Sequence, residues 1–253
     1  MPATPAWPPS SLPRLFVDQM LGDGIELLLD GAPANYLGAV LRLGAGDQVK
    51  LFDDKTGEWL AEVTDSGKRR VALRILQKIR DREPVPDLWL AFAPIKKARI
   101  DWVAEKAAEL GVAHLVPVLT QRTIVDRVNV QRLRAHMIAA AEQCERTALP
   151  TIEEPRKLRS LLASWPSDRA LLFADETGGE PMTAALAPGP CAILIGPEGG
   201  FTQDEREAIL QVPAARAVSL GPRILRADTA AVAAISLWMA GAGDWGRAPV
   251  RGS

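Results

Sequence analysis

The chain has 253 residues, 47% of them hydrophobic and 24% charged, with a formal net charge of −1. That composition excludes a disordered chain and a fibrous repeat, and such a length buries a sizeable core without disulfide or metal staples. At ~100–200 residues per domain, it forms one large domain or two small ones. No apolar stretch reaches the ~18 residues of a membrane span. Residues 1–13 are Pro-rich, lack the apolar region of a signal peptide, and are expected to form a mobile tail. Cys144 and Cys191 match no metal spacing and read as reduced thiols of a cytoplasmic protein. The two histidines, His114 and His136, leave little material for a histidine-based metal site or triad, so no metal is expected.

The near-zero charge hides an asymmetry. Residues 1–67 hold 4 basic and 10 acidic side chains, whereas residues 68–82 hold 7 basic ones against Asp81. Over residues 15–79 short apolar runs alternate with turn signals. Strands are expected at 15–17, 25–29, 48–52, 59–63 and 71–79, with one helical turn at 34–41. Strands of this length and spacing predict a small barrel. In the last of them Val71, Leu73, Ile75 and Ile79 alternate with Arg70, Arg74, Lys78 and Arg80. That period of two puts an apolar row inside and a basic row outside. Such a row suits the phosphates of a polyanion, and equally a solvated edge strand protected by charge.

Residues 81–87, with Pro84 and Pro86, read as a linker. After it the texture changes to alternating strands and helices. Strands are expected at 88–93, 115–119, 170–174, 192–195 and 217–220, with the continuous apolar runs that buried parallel strands require. Helices are expected at 99–110, 130–146, 158–163, 202–211 and 229–240. Gly111 ends the first helix, and Thr202 with Glu205 three residues later forms a capping box. The pattern predicts an α/β domain with a mainly parallel sheet.

Two glycine-bearing loops each follow a strand and precede a helix. The first is Ile195-Gly196-Pro197-Glu198-Gly199-Gly200-Phe201-Thr202. Its glycines let a ligand approach the backbone, and strand ends in parallel sheets are where ligands bind. It is neither a Walker loop nor a dinucleotide fingerprint: no Gly-Lys-Ser/Thr follows and the glycine spacing is wrong. The second is Leu220-Gly221-Pro222-Arg223-Ile224-Leu225-Arg226-Ala227-Asp228-Thr229, which sets two arginines and an aspartate beside an otherwise apolar helix. Either loop alone reads more simply as a tight turn, with Asp228 or Thr229 capping the helix. Two such loops in one small domain point to a shared pocket.

With these loops the chain resembles the RsmE family of ribosomal RNA methyltransferases, in the SPOUT superfamily. Other segments carry the same resemblance: Glu105-Lys106-Ala107-Ala108-Glu109-Leu110-Gly111-Val112, Gln121-Arg122, and Glu142-Gln143-Cys144-Glu145-Arg146. Pro13-Arg14-Leu15-Phe16 and Val40-Leu41-Arg42-Leu43-Gly44 extend it toward the N-terminus. The motifs keep the family's order from about Arg14 to about Asp244. The resemblance implies a PUA-like RNA-binding β-barrel over 14–82 and a SPOUT α/β domain over 84–247 with a deep trefoil knot, an exception to the rule against knots. It also implies a cytoplasmic homodimer that binds S-adenosylmethionine in the knot and methylates N3 of one uridine in 16S rRNA of the small ribosomal subunit. The last helix would contribute to the dimer interface.

By motif position, the cofactor would be held by Phe173 and Ala174, by Leu194, Ile195, Gly196, Pro197, Glu198, Gly199 and Gly200, and by Ser219, Leu220, Gly221, Ile224 and Leu225. Gly199 is expected to sit where a side chain would collide with the cofactor or strain the loop. Arg226 is the first candidate to stabilise negative charge on the uracil, with Arg223 and Arg146 next. Asp228 stands where the family pattern carries a glutamate, and could accept the N3 proton or orient an arginine. Arg14, Arg42, Arg70, Arg74, Lys78, Lys96 and Lys97 are the expected RNA contacts. A same-fold methyltransferase acting on another RNA, and a nonenzymatic RNA-binding or ribosome-assembly protein, are the alternatives at this level.

Overall fold

The computed structural model describes residues 12–67, 69–125 and 127–248. Most of the expected Pro-rich tail, and Lys68 of the basic block, lie outside the described residues. The chain divides into two compact units. One runs to Pro84 and takes in Glu142–Ala148; the other holds Val85–Ala141 and resumes at Leu149.

In the first unit, β1 (Arg14–Phe16), β2 (Glu26–Asp30), β3 (Gln48–Phe52), β4 (Glu58–Ser66) and β5 (Arg70–Arg80) form one sheet in the order β1-β3-β4-β5-β2. β1 runs parallel to β3, and the other neighbours are antiparallel. β1 and β2 are the two edges, so the expected PUA-like barrel takes the form of an open half-barrel. Helix α1 (Gly31–Asn35) and a π-helical turn (Tyr36–Val40) add Ala34 and Leu37 to the core formed by Leu51, Leu73 and Ile75.

Three register shifts between β4 and β5 break the expected alternation. Val71, Leu73 and Ile75 point into the core while Arg70 and Arg74 face outward. Lys78 also faces outward, its ammonium 5.4 Å from the Trp59 ring centroid. Arg80 does not follow them. Its Nε donates to Glu58 at 2.9 Å, and Arg14 donates to the same carboxylate, whose side chain is 2% exposed. A buried carboxylate must be paired, and this one recruits one cation from the start of β1 and one from the end of β5. Arg14 and Arg80 further donate to the Arg146 and Glu145 carbonyls, which fastens residues 142–148 to this unit.

Burial pushes the Glu58 carboxyl up, but the hydrogen bond from Arg80 and the charge of Arg14 outweigh it, and its pKa lies below the ordinary value. A depressed folded pKa contributes stability that is full above the unfolded value of ~4.3 and lost as pH falls through the folded one. Glu58→Gln is therefore expected to cost about 2 kcal/mol at neutral pH. The deficit should shrink in acid. Urea unfolding of both proteins at neutral and acid pH checks this; a deficit independent of pH would deny the ion-pair account.

The second unit alternates strands and helices: β6 (Leu88–Phe92), α2 (Lys97–Glu109), β7 (His114–Leu119), α3 (Val130–Gln143), β8 (Thr151–Ile152), β9 (Arg156–Lys157) and α4 (Leu158–Ala163). Then follow β10 (Ala170–Ala174), β11 (Glu180–Pro181), α5 (Met182–Ala185), β12 (Cys191–Ile195), α6 (Gln203–Leu210), β13 (Ala215–Ser219) and α7 (Ala227–Gly241). The sheet order is β11-β13-β10-β12-β6-β7-β8, with β9 also on β7, and every pair is parallel. All of β12 is buried, as its apolar run requires. Cys191, Ile193 and Ile195 face the layer holding Ile100, Leu133 and Trp238, whereas Ala192 and Leu194 face Leu158, Leu161 and Ile209. β12 and β13 lie on either side of β10, so the chain crosses over β10 between them.

Two boundaries differ from expectation for local reasons. α3 stops at Gln143 rather than running to 146, because Glu145 takes a left-handed backbone with φ +61°. α7 starts at Ala227, so Arg226 holds the N-cap position and neither Asp228 nor Thr229 does. Asp228 instead lies in the first turn, where its charge suits the helix dipole and its Oδ1 accepts the Thr229 N–H at 2.8 Å. α6 opens with the expected reciprocal cap between Thr202 and Glu205.

Candidate functional site

At the carboxyl ends of β10, β12 and β13 three loops enclose a cleft of about 350 Å³. That is near the lower end of the ~300–1,000 Å³ usual for small-molecule sites. Ala174, Ile195, Val218, Leu220, Leu225 and Ala230 give it apolar walls. Glu176, Thr177, Glu198, Arg206, Ser219 and Arg223 give it polar ones.

Each loop is held by specific bonds. Asp175 accepts from the Thr177 amide at 3.0 Å and hydroxyl at 2.8 Å, and from Arg206 Nε at 2.6 Å. Burial pushes its carboxyl up, but these bonds outweigh burial and its pKa lies below the ordinary value. In the glycine loop the Gly200 amide donates to the Pro197 carbonyl at 2.9 Å. Gly200 has φ +68°, and a Cβ there would fall 2.2 Å from a Glu176 carboxylate oxygen. The left-handed backbone therefore favours glycine at 200, whereas the exposed Glu176 side chain can move aside. Gly199 differs: a Cβ there would meet only Arg122, at an ordinary 3.4 Å. Within the loop itself, the strained backbone position is Gly200 and not Gly199.

Two further segments brace the loops. After β7 the Gln121 amide donates to Glu205 at 2.7 Å, and Arg122 donates to the Gly199 carbonyl at 2.5 Å. From α2, Arg99 stands between Glu198 at 3.8 Å and Asp228 at 3.6 Å, so one cation faces a carboxylate from each loop.

Of the residues expected from the sequence, Ala174, Ile195, Gly196, Pro197, Glu198, Gly200, Ser219, Leu220, Gly221, Ile224 and Leu225 line the cleft, and so does Arg223. Phe173 and Leu194 are buried in the core instead, and Gly199 lies outside the wall. Arg226 is exposed between two lining residues, Leu225 and Ala227. Arg146 belongs to the first unit, where it is 5% exposed and its Nε lies 3.9 Å from Glu83. Burial lowers its pKa, with the Glu83 charge opposing.

Among the expected RNA contacts, Arg42, Arg70, Arg74, Lys78 and Lys96 are exposed, Lys97 opens α2, and Arg14 is taken up by Glu58. Glu176, Thr177, Gly178, Phe201 and Arg206 join the cleft without having been expected. The spacing Asp175-x-Thr177 after an apolar strand was an available signal, because it favours an Asx turn. Among the described residues no three of His, Cys, Asp and Glu converge to hold a metal, and no helix is long and apolar enough to cross a membrane.

Comparison with known proteins agrees with this architecture. An RNA methyltransferase domain matches residues 81–239, and an RNA methyltransferase PUA domain matches residues 29–76. The fold is thus that of an RNA methyltransferase domain preceded by a PUA domain. The ribosomal RNA small subunit methyltransferase E of Rickettsia conorii is 33% identical over 230 residues, covering 88% of this chain and 93% of the relative. The Neisseria gonorrhoeae ribosomal RNA small subunit methyltransferase E, solved bound to S-adenosylmethionine, superposes with a TM-score of 0.84 at 29% identity over 93% of this chain and 100% of that one. A Legionella pneumophila methyltransferase in complex with the same cofactor superposes with a TM-score of 0.82 at 29% identity over 92% and 99%. The chain belongs to the ribosomal RNA small subunit methyltransferase E family, RsmE.

Proposed function

We propose that this protein uses S-adenosylmethionine to methylate N3 of a uridine in 16S rRNA, acting on the small ribosomal subunit as a cytoplasmic homodimer. The observation that carries the reading is the glycine-walled cleft at the ends of β10, β12 and β13. Its apolar walls suit an adenine ring, Glu176 and Glu198 suit a cationic ligand, and Gly200 leaves the loop backbone open to one. Residues 174–178, 195–198, 200–201 and 219–225 would hold the cofactor. When bound, S-adenosylmethionine supplies an electrophilic methyl group on a sulfonium.

Uridine N3 carries a proton and is a poor nucleophile until that proton leaves. The protein's task is to align N3 and to stabilise negative charge on the uracil ring. Arg226 is the first choice for that charge, since it is exposed beside the cleft; Arg223, on the cleft wall, is the second. Asp228 accepts the proton or orients an arginine, with Arg99 beside it. The burial of Arg146 favours a structural part for it.

In this reading 14–82 is the RNA-binding unit and 84–247 the SPOUT unit. The crossing of the chain over β10 supports a knot there.

The outward row is assigned to RNA phosphates. The pairs Arg74–Glu26 and Lys78–Asp81 lie on the surface, are worth ~1 kcal/mol or less, and do not withhold these cations from a polyanion. Replacing Arg70, Arg74 and Lys78 together by alanine should weaken RNA binding and flatten its log–log salt slope by about two units, with S-adenosylmethionine affinity unchanged. An unaltered slope would return the row to a solvated edge.

The reading as a whole is tested by methyl transfer from labelled S-adenosylmethionine. Transfer to 16S rRNA in small-subunit particles is expected, and none to transfer RNA. Transfer to transfer RNA alone would select another substrate. Failure to bind S-adenosylmethionine in calorimetry would select a nonenzymatic RNA-binding role.

A further inference from the structure

A second cavity, of about 260 Å³, opens in the same unit and shares no lining residue with the cleft. Ile95 and Ile100 wall it from the start of α2, and Val125 and Val128 from the segment after β7. Asn129 and Arg132 close it at the start of α3. Two of these segments also serve the cleft. α2 carries Arg99 to Glu198 and Asp228, and the segment after β7 carries Arg122 to the Gly199 carbonyl. The cavity therefore lies at the same carboxyl edge of the sheet, beside the cleft and separate from it.

Its polar side chains present donors. Asn129 Oδ1 accepts the Arg132 amide at 2.9 Å, which caps α3 and leaves the Asn129 NH₂ group to face a ligand. Arg132 reaches Asp101 through Nη2 at 3.1 Å, while its Nε is buried with no hydrogen-bond partner among the described residues. Asp101 Oδ1, the acceptor at that contact, is equally unsatisfied, so the two orphans belong to one ion pair, and Arg127 stands on the cavity wall beside Arg132. Apolar walls, the Asn129 amide and the guanidiniums of Arg127 and Arg132 match one flat ring with keto oxygens on a polyanionic strand. Unstacked bases of single-stranded RNA are read in this manner, faces against side chains and edges by hydrogen bonds.

The geometry points to a subsite for one keto-bearing nucleobase, uracil or guanine, that flanks the methylated nucleotide. Because the cavity is separate from the cleft, a base seated in it is not the base being methylated. The site selects sequence or loop shape around the target, while the neighbouring cations position the phosphates. This inference rests on the reading that the substrate is RNA.

Two variants test it. Val128→Phe fills the cavity. Asn129→Asp keeps the capping oxygen but replaces the NH₂ donors with a carboxylate. The probe is a short RNA spanning the methylated uridine, made abasic at each flanking position in turn. Wild-type protein should lose about tenfold or more in RNA affinity at one flanking position. Both variants should show that loss already on the intact RNA, with no further loss when that base is removed. S-adenosylmethionine affinity and thermal melting should be unchanged. If either folded variant binds intact RNA like wild type, or keeps the wild-type pattern of abasic losses, the subsite is excluded. Should Val128→Phe fail to fold, Asn129→Asp decides alone. Normal methylation of RNA by wild type and variants alike would sink the subsite and spare the function; no RNA binding or methylation by wild type would sink both.

Discussion

Arg226→Ala is expected to lower single-turnover methylation of small-subunit particles by ~10²–10³, by analogy with removal of one oxyanion donor. S-adenosylmethionine affinity should stay as in wild type. Arg226 holds the N-cap position of α7 without a side-chain capping bond, so truncating it leaves the helix start intact. Its guanidinium is exposed beside the cleft, where an RNA base can approach it. The charge it stabilises forms mainly in the transition state, so the loss belongs to turnover rather than to ground-state binding. Lysine should rescue poorly, because a point charge cannot reproduce the planar fork of arginine. Near-normal turnover would remove Arg226 from the mechanism, and a loss confined to cofactor affinity would make it a cofactor ligand.

The second large effect is a contrast between neighbours. Gly200→Val forces a β-branched residue into φ +68°, a left-handed conformation that such residues rarely adopt. Strain of that kind costs a few kcal/mol and should weaken S-adenosylmethionine binding by about 10² or more. Gly199→Val meets only the flexible Arg122 side chain and should retain most of the affinity. Calorimetry on both variants, with melting curves to confirm folding, checks the pair. Equal losses at the two positions would show that the loop geometry described above is not the one that binds the cofactor.

Local signals carried far into this fold. The Thr202–Glu205 cap, the buried run of β12 and the alternation of β5 up to Ile75 each depend on neighbours a few residues away, and each is found where the pattern put it. The failures share a different cause. Arg14 and Arg80 read as members of a basic surface because Glu58, which takes both, is distant in sequence from Arg14 and across a bulged ladder from Arg80. Arg206 read as an ordinary helix residue until β10 and α6 brought it to Asp175. Arg99 shows the same limit, since its two partners come from loops a hundred or so residues onward. The glycine loop was legible as a motif, but which of its glycines needs positive φ depends on the turn closed between Pro197 and Gly200. That the expected barrel stays open follows from a pairing that β1 and β2 do not make, a detail no residue pattern within either strand announces.

The central claim is methylation of one uridine at N3 in 16S rRNA, and nucleoside mapping of that RNA tests it most directly. RNA from wild-type cells and from a strain lacking this protein would be digested and compared by mass spectrometry. The account predicts N3-methyluridine at a single position in the wild type, its absence in the deletion strain, and its return with the wild-type chain but not with Arg226→Ala. N3-methyluridine present at the same level in the strain lacking the protein would contradict it.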